Sequence, residues 1–311
     1  MAAQTADTLP KMPYVRLGNS GLKVSRLILG CASYGTKSDV AWRIEEAEAL
    51  THLKESITNL YPCEEILGKF VQTVPRESVV IMTKGNNRKH IFDNVKAALK
   101  RLQTDYIDVL QLHRFDYETP IEETMRALHD VVQAGYVRYI GMSSCWAWQF
   151  HAMQIYALNN GLTPFVNCQN FYNLLYREEE REMMPLLKYL GAGSTPWSPM
   201  AKGHLTRPLS RTYETVRSTS DLYHDEAITN EEWEKEINRR VEKLSIRRGL
   251  SMAQVALAWV LHKDCVCAPI VGITKLERFD EIVKTLEVKL DDDEIKFLEE
   301  PYHARHSVGF I

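Results

Sequence analysis

A chain of 311 residues with 45% apolar and 25% charged residues is long enough for one large α/β domain and has the balance of a globular protein. Its net charge of −3 leaves no surplus of cations for a nucleic-acid backbone or an anionic membrane surface. No apolar run is long enough to span a bilayer, and Met1 to Lys11 is polar and lacks the apolar stretch of a signal peptide.

Residues 1–12 therefore read as a disordered leader and 13–311 as a single domain of a cytoplasmic protein. The six cysteines, Cys31, Cys63, Cys145, Cys168, Cys265 and Cys267, form no CxxC pair and mostly lie in apolar runs. Reduced thiols fit that pattern better than disulfides or zinc ligands.

In chain order, Tyr14 to Ser25 holds two short alternating runs around a Gly/Asn/Ser turn, which predicts a β-hairpin. Leu27–Cys31 is a continuous apolar strand. Glu45–Glu55 has helical composition, Ile57–Tyr61 is a very short strand candidate, and Glu64–Val71 is helical. Ser78–Lys84 is a buried strand ending in a lysine. In His90–Leu102 the residues Ile91, Val95, Ala98 and Leu102 share one helical face. Tyr106–Leu112 is an apolar, β-branched run too short for a buried helix, and His113 follows it.

A helix over Pro120–Ala134 is closed by Gly135. There follow a strand over Tyr139–Ser144, a helix over Trp148–Asn159, a strand over Phe165–Asn170, a helix over Arg177–Tyr189 and a strand over Gly191–Pro196. A long polar segment, about 207–232, is of the length that carries function. Helices at 233–248 and 252–262 follow, the second capped by Ser251. The last strand is Cys267–Gly272, and helices over 276–285 and 292–299 end the pattern.

One helix between each pair of strands implies a parallel sheet with right-handed crossovers. Seven clear strands and the weak Ile57–Tyr61 piece predict a (β/α)8 TIM barrel with an N-terminal hairpin and a second strand that is truncated or missing. Gly30-Cys31-Ala32-Ser33-Tyr34-Gly35 is not the G-x-G-x-x-G turn of a doubly wound fold.

Barrels place chemistry at the strand C-terminal ends. Here those ends carry Ser33, Lys84, His113, Ser143, Ser144, Gln169, Asn170, Trp197 and Ser198. Each has an ordinary structural reading: His113 as a core histidine, Lys84 as an amine in water, Gln169 as a backbone partner. As a set, an amine, an imidazole, hydroxyls, an amide and a flat aromatic suit a nicotinamide ring with its carboxamide and a carbonyl beside it. No phosphate-binding glycine loop, carboxylate pair or metal-ligand spacing appears.

The chain resembles the aldo-keto reductase superfamily, in the fungal branch that looks like aryl-alcohol dehydrogenases and norsolorinic acid reductases. The likeness rests on Gly21-Leu22-Lys23-Val24-Ser25 with Leu29-Gly30, Met82-Thr83-Lys84, Asp105-Tyr106-Ile107-Asp108 with Leu112-His113-Arg114, Gly141-Met142-Ser143-Ser144, Gln169-Asn170, Trp197-Ser198-Pro199-Met200-Ala201 and Pro269-Ile270-Val271-Gly272.

The resemblance implies hydride transfer between NADPH and an aldehyde or ketone, in secondary metabolism, by a monomer. Lys84 tunes an acid tyrosine, for which Tyr61 is the candidate, and His113 orients the carbonyl. Ser143, Ser144 and Gln169 hold the carboxamide, and Trp197 stacks on the ring. The loop Trp197, Ser198, Pro199, Met200, Ala201, Lys202, Gly203, His204, Leu205 follows the pyrophosphate, with Arg217 carried over beside it. The segment with Gly272, Thr274, Lys275, Arg278 and Glu281 meets the adenosine 2′-phosphate. Two cations suit that dianion and favour NADPH over NADH, although the exposed start of a helix would also carry such cations.

Two departures stand out. The family's second strand ends in a pattern like Asp-Thr-Ala-x-x-Tyr, and here only Ser56-Ile57-Thr58-Asn59-Leu60-Tyr61-Pro62-Cys63 fills the interval. Ser56 falls at the aspartate position, and Tyr61 stands closer to Glu64 than the pattern has it. After Lys84, Gly85-Asn86-Asn87-Arg88-Lys89 replaces a longer loop. Three readings follow: an active reductase built on Tyr61, Lys84 and His113, a catalytically inactive barrel that still binds NADP, or a product of altered splicing.

Overall fold

The structure is a computed structural model that describes residues 10–37, 41–55, 60–61, 64–85, 88–211 and 229–309. Its hairpin is β1 (Tyr14–Arg16) and β2 (Lys23–Ser25), antiparallel with Val15 opposite Val24. Eight parallel strands follow: β3 (Ile28–Gly30), β4 (Leu60–Tyr61), β5 (Met82–Gly85), β6 (Ile107–Leu112), β7 (Val137–Ser143), β8 (Phe165–Gln169), β9 (Gly193–Ser194) and β10 (Ile270–Gly272). They pair in the orders β10-β3-β4 and β5-β6-β7-β8-β9. Bridges from Ser194 to Val266 and from Trp197 to Ile270 join β9 to β10. The expected second strand is thus present but two residues long, and among the described residues no ladder joins it to β5.

The helices are α1 (Glu46–Glu55), α2 (Glu64–Val71), α3 (Arg88–Leu102), α4 (Ile121–Gln133), α5 (Ala147–Asn159), α6 (Met183–Leu190), α7 (Glu232–Arg248), α8 (Met252–His262), α9 (Glu277–Lys284) and α10 (Asp292–Glu299). None is long and apolar enough to cross a membrane. Strand alternation builds two apolar layers. Ile28, Met82, Val109, Ala268 and Ile270 fill the barrel interior, with Leu17 and Val24 of the hairpin packed against them. Leu110, Leu112, Met142 and Phe165 face outward onto Leu67, Met125, Leu128 and Phe150 of the helices.

Ser251 caps α8 by accepting from the Gln254 N–H, and Asp291 caps α10 through Glu294 in the same way. Gly135 takes φ +78 behind α4, as its place after a helix requires. One expected helix, Arg177–Tyr189, is broken: a 3-10 turn spans Glu178–Glu180 and α6 starts at Met183. Pro185 lacks the N–H that would reach back to Arg181, so a continuous helix has no ladder there and Pro185 sits in a fresh first turn. The strand expected over Gly191–Pro196 is laddered only at Gly193–Ser194.

Gly68 lets α2 lie on the end of α3. A Cβ there would come 2.2 Å from the Arg101 carbonyl oxygen and 2.9 Å from the Leu102 carbonyl carbon. Both obstacles are backbone, so Gly68→Ala is expected to cost about 1–3 kcal/mol despite alanine's better helix propensity. A denaturant melt checks this, and an unchanged midpoint would show that the two helices can separate freely.

Candidate active site

Period-two alternation decides what the strand ends present. Met82 and Val109 point into the barrel, so Lys84 on β5 and Gln111 on β6 share the inner face. Lys84 Nζ donates to Ser143 Oγ at 3.2 Å, Ser143 Oγ donates to the Gln169 carbonyl at 2.7 Å, and Gln169 Nε2 donates to Gln111 Oε1 at 2.8 Å. One run of polar contacts therefore ties β5, β6, β7 and β8 together. Gln111, Ser143 and Gln169 are buried, and each satisfies another.

Burial lowers the Lys84 amine to about 7, the Arg114 cation adds to the fall, and the Cys168 sulfur opposes it. His113 stands at the rim after β6, its N–H reaching the Gly85 carbonyl at 3.4 Å. Its pKa is lowered by desolvation and by the cations Lys84 and Arg114, which leaves a neutral imidazole at neutral pH. The Tyr61 main chain lies at the end of β4, in register with Gly30. The Tyr61 side chain, Ser56, Cys63 and Arg217 lie outside the described residues.

On the other side, Ser144 takes φ +47, its N–H donates to Asn170 Oδ1 at 2.7 Å, and its Oγ accepts from Trp197 Nε1 at 3.3 Å. Trp197 is half-buried and packs on Phe171 with ring centroids 4.5 Å apart. In the loop that continues from it, Ser198 (φ 53), Ala201 (φ 50), Lys202 (φ 53) and Gly203 (φ 101) are all left-handed. Three of these are not glycine, and backbone held in that region concentrates at ligand clamps. Pro199 is buried, Met200 and His204 are half-buried, and Leu205 and Ala201 are fully enclosed.

Lys275 and Arg278 are exposed at the start of α9, where the Arg278 N–H donates to the Lys275 carbonyl. Lys275 borders a groove of about 480 Å³ with Glu48, His52 and Glu277. Gly272 ends β10, Thr274 is half-buried, and the Glu281 carbonyl is occupied by Gln254 and Thr285.

Sequence reasoning alone does not single out Gln111, nor the part that Arg114 plays. The signal for Gln111 is a polar residue two places before His113 in an apolar run, hence on the same inward face.

A protein-family model, described as the aldo/keto reductase family, matches residues 26–302. The chain belongs to the aldo/keto reductase family. It is an NADP(H)-dependent oxidoreductase acting on carbonyl and alcohol substrates. Proteins named as putative aryl-alcohol dehydrogenases in Saccharomyces cerevisiae and Schizosaccharomyces pombe are 42% and 43% identical to this reductase, each over 93% of its length, with 96% and 95% of the relative covered. The versiconal hemiacetal acetate reductase of Aspergillus parasiticus is 42% identical over 94% of this chain and 97% of its own. In the Saccharomyces match, 93% of 311 residues, about 289, spreads over 332 positions, so about 43 positions have no counterpart in this chain. Those positions fall within the matched span.

The residues present fit the cofactor. Ser144 keeps its hydroxyl proton and Gln169 its side-chain oxygen, a donor and an acceptor that complement a carboxamide. The Trp197 ring is fixed at its nitrogen, as a stacking surface needs.

Proposed function

We propose that this reductase reduces aromatic aldehydes or ketones in secondary metabolism, as a cytoplasmic single-domain barrel over residues 13–311. The reading rests on the polar run Lys84–Ser143–Gln169–Gln111 at four successive strand ends, with His113 at its rim. When bound, NADPH supplies the hydride. The chain's own residues hold and polarise the other reactant: neutral His113 offers an N–H to the carbonyl oxygen, and Lys84 lowers the pKa of the acid that protonates it. Tyr61 is that acid, supported by its place at the end of β4 in register with Gly30.

Ser143, Ser144 and Gln169 receive the carboxamide, Trp197 the ring face, residues Ser198–Leu205 the pyrophosphate, and Lys275 and Arg278 the 2′-phosphate. Gly272, Thr274 and Glu281 shape that last segment. The substrate class rests on Phe115, Tyr117 and Trp148, which cluster beyond His113 with centroids 5.1 and 5.9 Å apart. Tyr117 and Trp148 are 64% and 59% exposed, so an aryl ring has two open faces to stack on. The five described cysteines are free thiols, which supports a reducing compartment.

The test is NADPH oxidation with a panel of aryl aldehydes. Tyr61→Phe is expected to lose about 10²–10⁴-fold in kcat/KM. Equal rates in both proteins would remove Tyr61 from the mechanism. The lack of a β4–β5 ladder among the described residues favours a second reading, a barrel that binds NADP without turnover. Nicotinamide fluorescence that responds to the protein, with no aldehyde-dependent oxidation, would select it.

A further inference from the structure

Glu178, Glu179 and Glu180 form one 3-10 turn, yet only Glu179 is buried, at 4% exposure. Its Oε2 accepts from Asn170 Nδ2 at 2.5 Å. The other end of the same amide, Asn170 Oδ1, accepts from the Ser144 N–H at 2.7 Å and from the Cys168 thiol at 3.1 Å. The Asn170 carbonyl accepts from the Trp197 N–H at 3.0 Å, and Trp197 Nε1 closes the circuit onto Ser144 Oγ. A single buried residue thus joins the two that flank the proposed nicotinamide pocket, Ser144 through its side-chain amide and Trp197 through its backbone carbonyl.

An asparagine amide has two unlike ends, and its neighbours decide which way it lies. The Ser144 N–H is a donor only and needs the oxygen. An acceptor at the opposite end demands the nitrogen, and Glu179 is that acceptor. Without it, Asn170 Nδ2 would be buried with no carboxyl oxygen to meet, and the left-handed Ser144 would lose the support that holds its φ of 47. Burial pushes the Glu179 carboxyl up to about 8 against the pull of the Asn170 hydrogen bond, and the Glu178 charge adds to the rise. The group is therefore uncharged at neutral pH, and glutamine reproduces its shape and its acceptor.

We propose that Glu179 is a positioning residue for the cofactor: through Asn170 it locks Ser144 and Trp197 in the geometry that receives the nicotinamide half of NADPH. The proposal rests on the reading of Ser144 and Trp197 as the nicotinamide site. Glu179 itself touches no reacting atom.

The experiment titrates full-length wild type, Glu179→Leu, Glu179→Ala and Glu179→Gln with NADPH by nicotinamide fluorescence. A parallel titration uses adenosine 2′,5′-bisphosphate, which lacks the nicotinamide. Circular dichroism melts select whichever of the leucine and alanine variants folds cooperatively. The expected result is about tenfold weaker NADPH binding in that variant, unchanged bisphosphate binding, and near wild-type values in Glu179→Gln. Equal NADPH affinity in all variants overturns the proposal and leaves the nicotinamide reading standing, as does equal weakening of both ligands or failure of glutamine to rescue. A wild-type protein that binds the bisphosphate but gives no nicotinamide response overturns the reading itself, and the proposal with it.

Discussion

Lys84→Met is expected to abolish carbonyl reduction and at the same time to raise the melting temperature, most of all below pH 7. The amine sits among buried groups, with its Nζ on Ser143 Oγ and the Arg114 cation nearby. Its folded pKa is about 7 against an ordinary 10.5. Between these values the unfolded chain holds a proton that the folded chain has released, so wild-type stability rises with pH across that window. Below about pH 7 both states are protonated and the folded state bears the full cost of an enclosed cation. Above 10.5 neither is charged and the cost is gone.

The difference between variant and wild type is therefore largest at pH 6 and shrinks toward pH 10. Its size is on the order of a few kcal/mol, since a tenfold change in proton affinity corresponds to about 1.4 kcal/mol and the side chain keeps some solvent contact. Methionine fills the same volume without a charge, and Ser143 keeps its bond to the Gln169 carbonyl. Melts at pH 6, 8 and 10 decide it: a variant less stable than wild type by the same amount at all three would mean that Lys84 is an ordinary packing residue.

That trade of stability for chemistry explains which parts of the site were legible in the sequence. Lys84, His113, Ser143 and Gln169 each follow a buried apolar run, and such runs are strands whatever their partners. Period two then assigns an inner face. The bounds of α8 and α10 are equally plain, because capping residues and apolar spacing agree there, and those of α2 follow from its apolar spacing.

What could not be read is what depends on tertiary pairing. Three consecutive glutamates look like a solvated helix face, and only the approach of Asn170 makes Glu179 different from its neighbours. The left-handed turns at Ala201 and Lys202 carry no local signal, since only Gly203 in that run is a residue that adopts them cheaply. The link that the Ser143 hydroxyl makes between Lys84 and the Gln169 carbonyl likewise depends on β5, β7 and β8 lying side by side.

Replacing residues 56–63 by a strand segment of ordinary length that ends in the family's Asp-Thr-Ala-x-x-Tyr pattern is expected to raise both stability and rate. Strand β4 has two residues, pairs with β3 through Leu29–Leu60 and Gly30–Tyr61, and has no ladder to β5 among the described residues. Barrels are stable because closure leaves no strand edge unpaired. A strand of ordinary length between β3 and β5 would pair on both sides and add several backbone hydrogen bonds, each worth about 0.5–1.5 kcal/mol net. It would also bring an aspartate to Lys84 and set the acid tyrosine at the family's spacing. The amine would then gain a counter-charge, its pKa would rise, and the pH dependence described above would flatten. The chimera should therefore melt higher than wild type at pH 6, with a smaller rise in melting temperature between pH 6 and 10. Its kcat/KM for aryl aldehydes should increase by about tenfold, a fraction of the general-acid factor, since Tyr61 already serves as the acid and the gain comes from its spacing and from the counter-charge on Lys84. A chimera with a higher melting temperature and unchanged turnover would separate the two effects: the seam would be a matter of stability alone, and the spacing of Tyr61 in the shortened strand would cost nothing in rate.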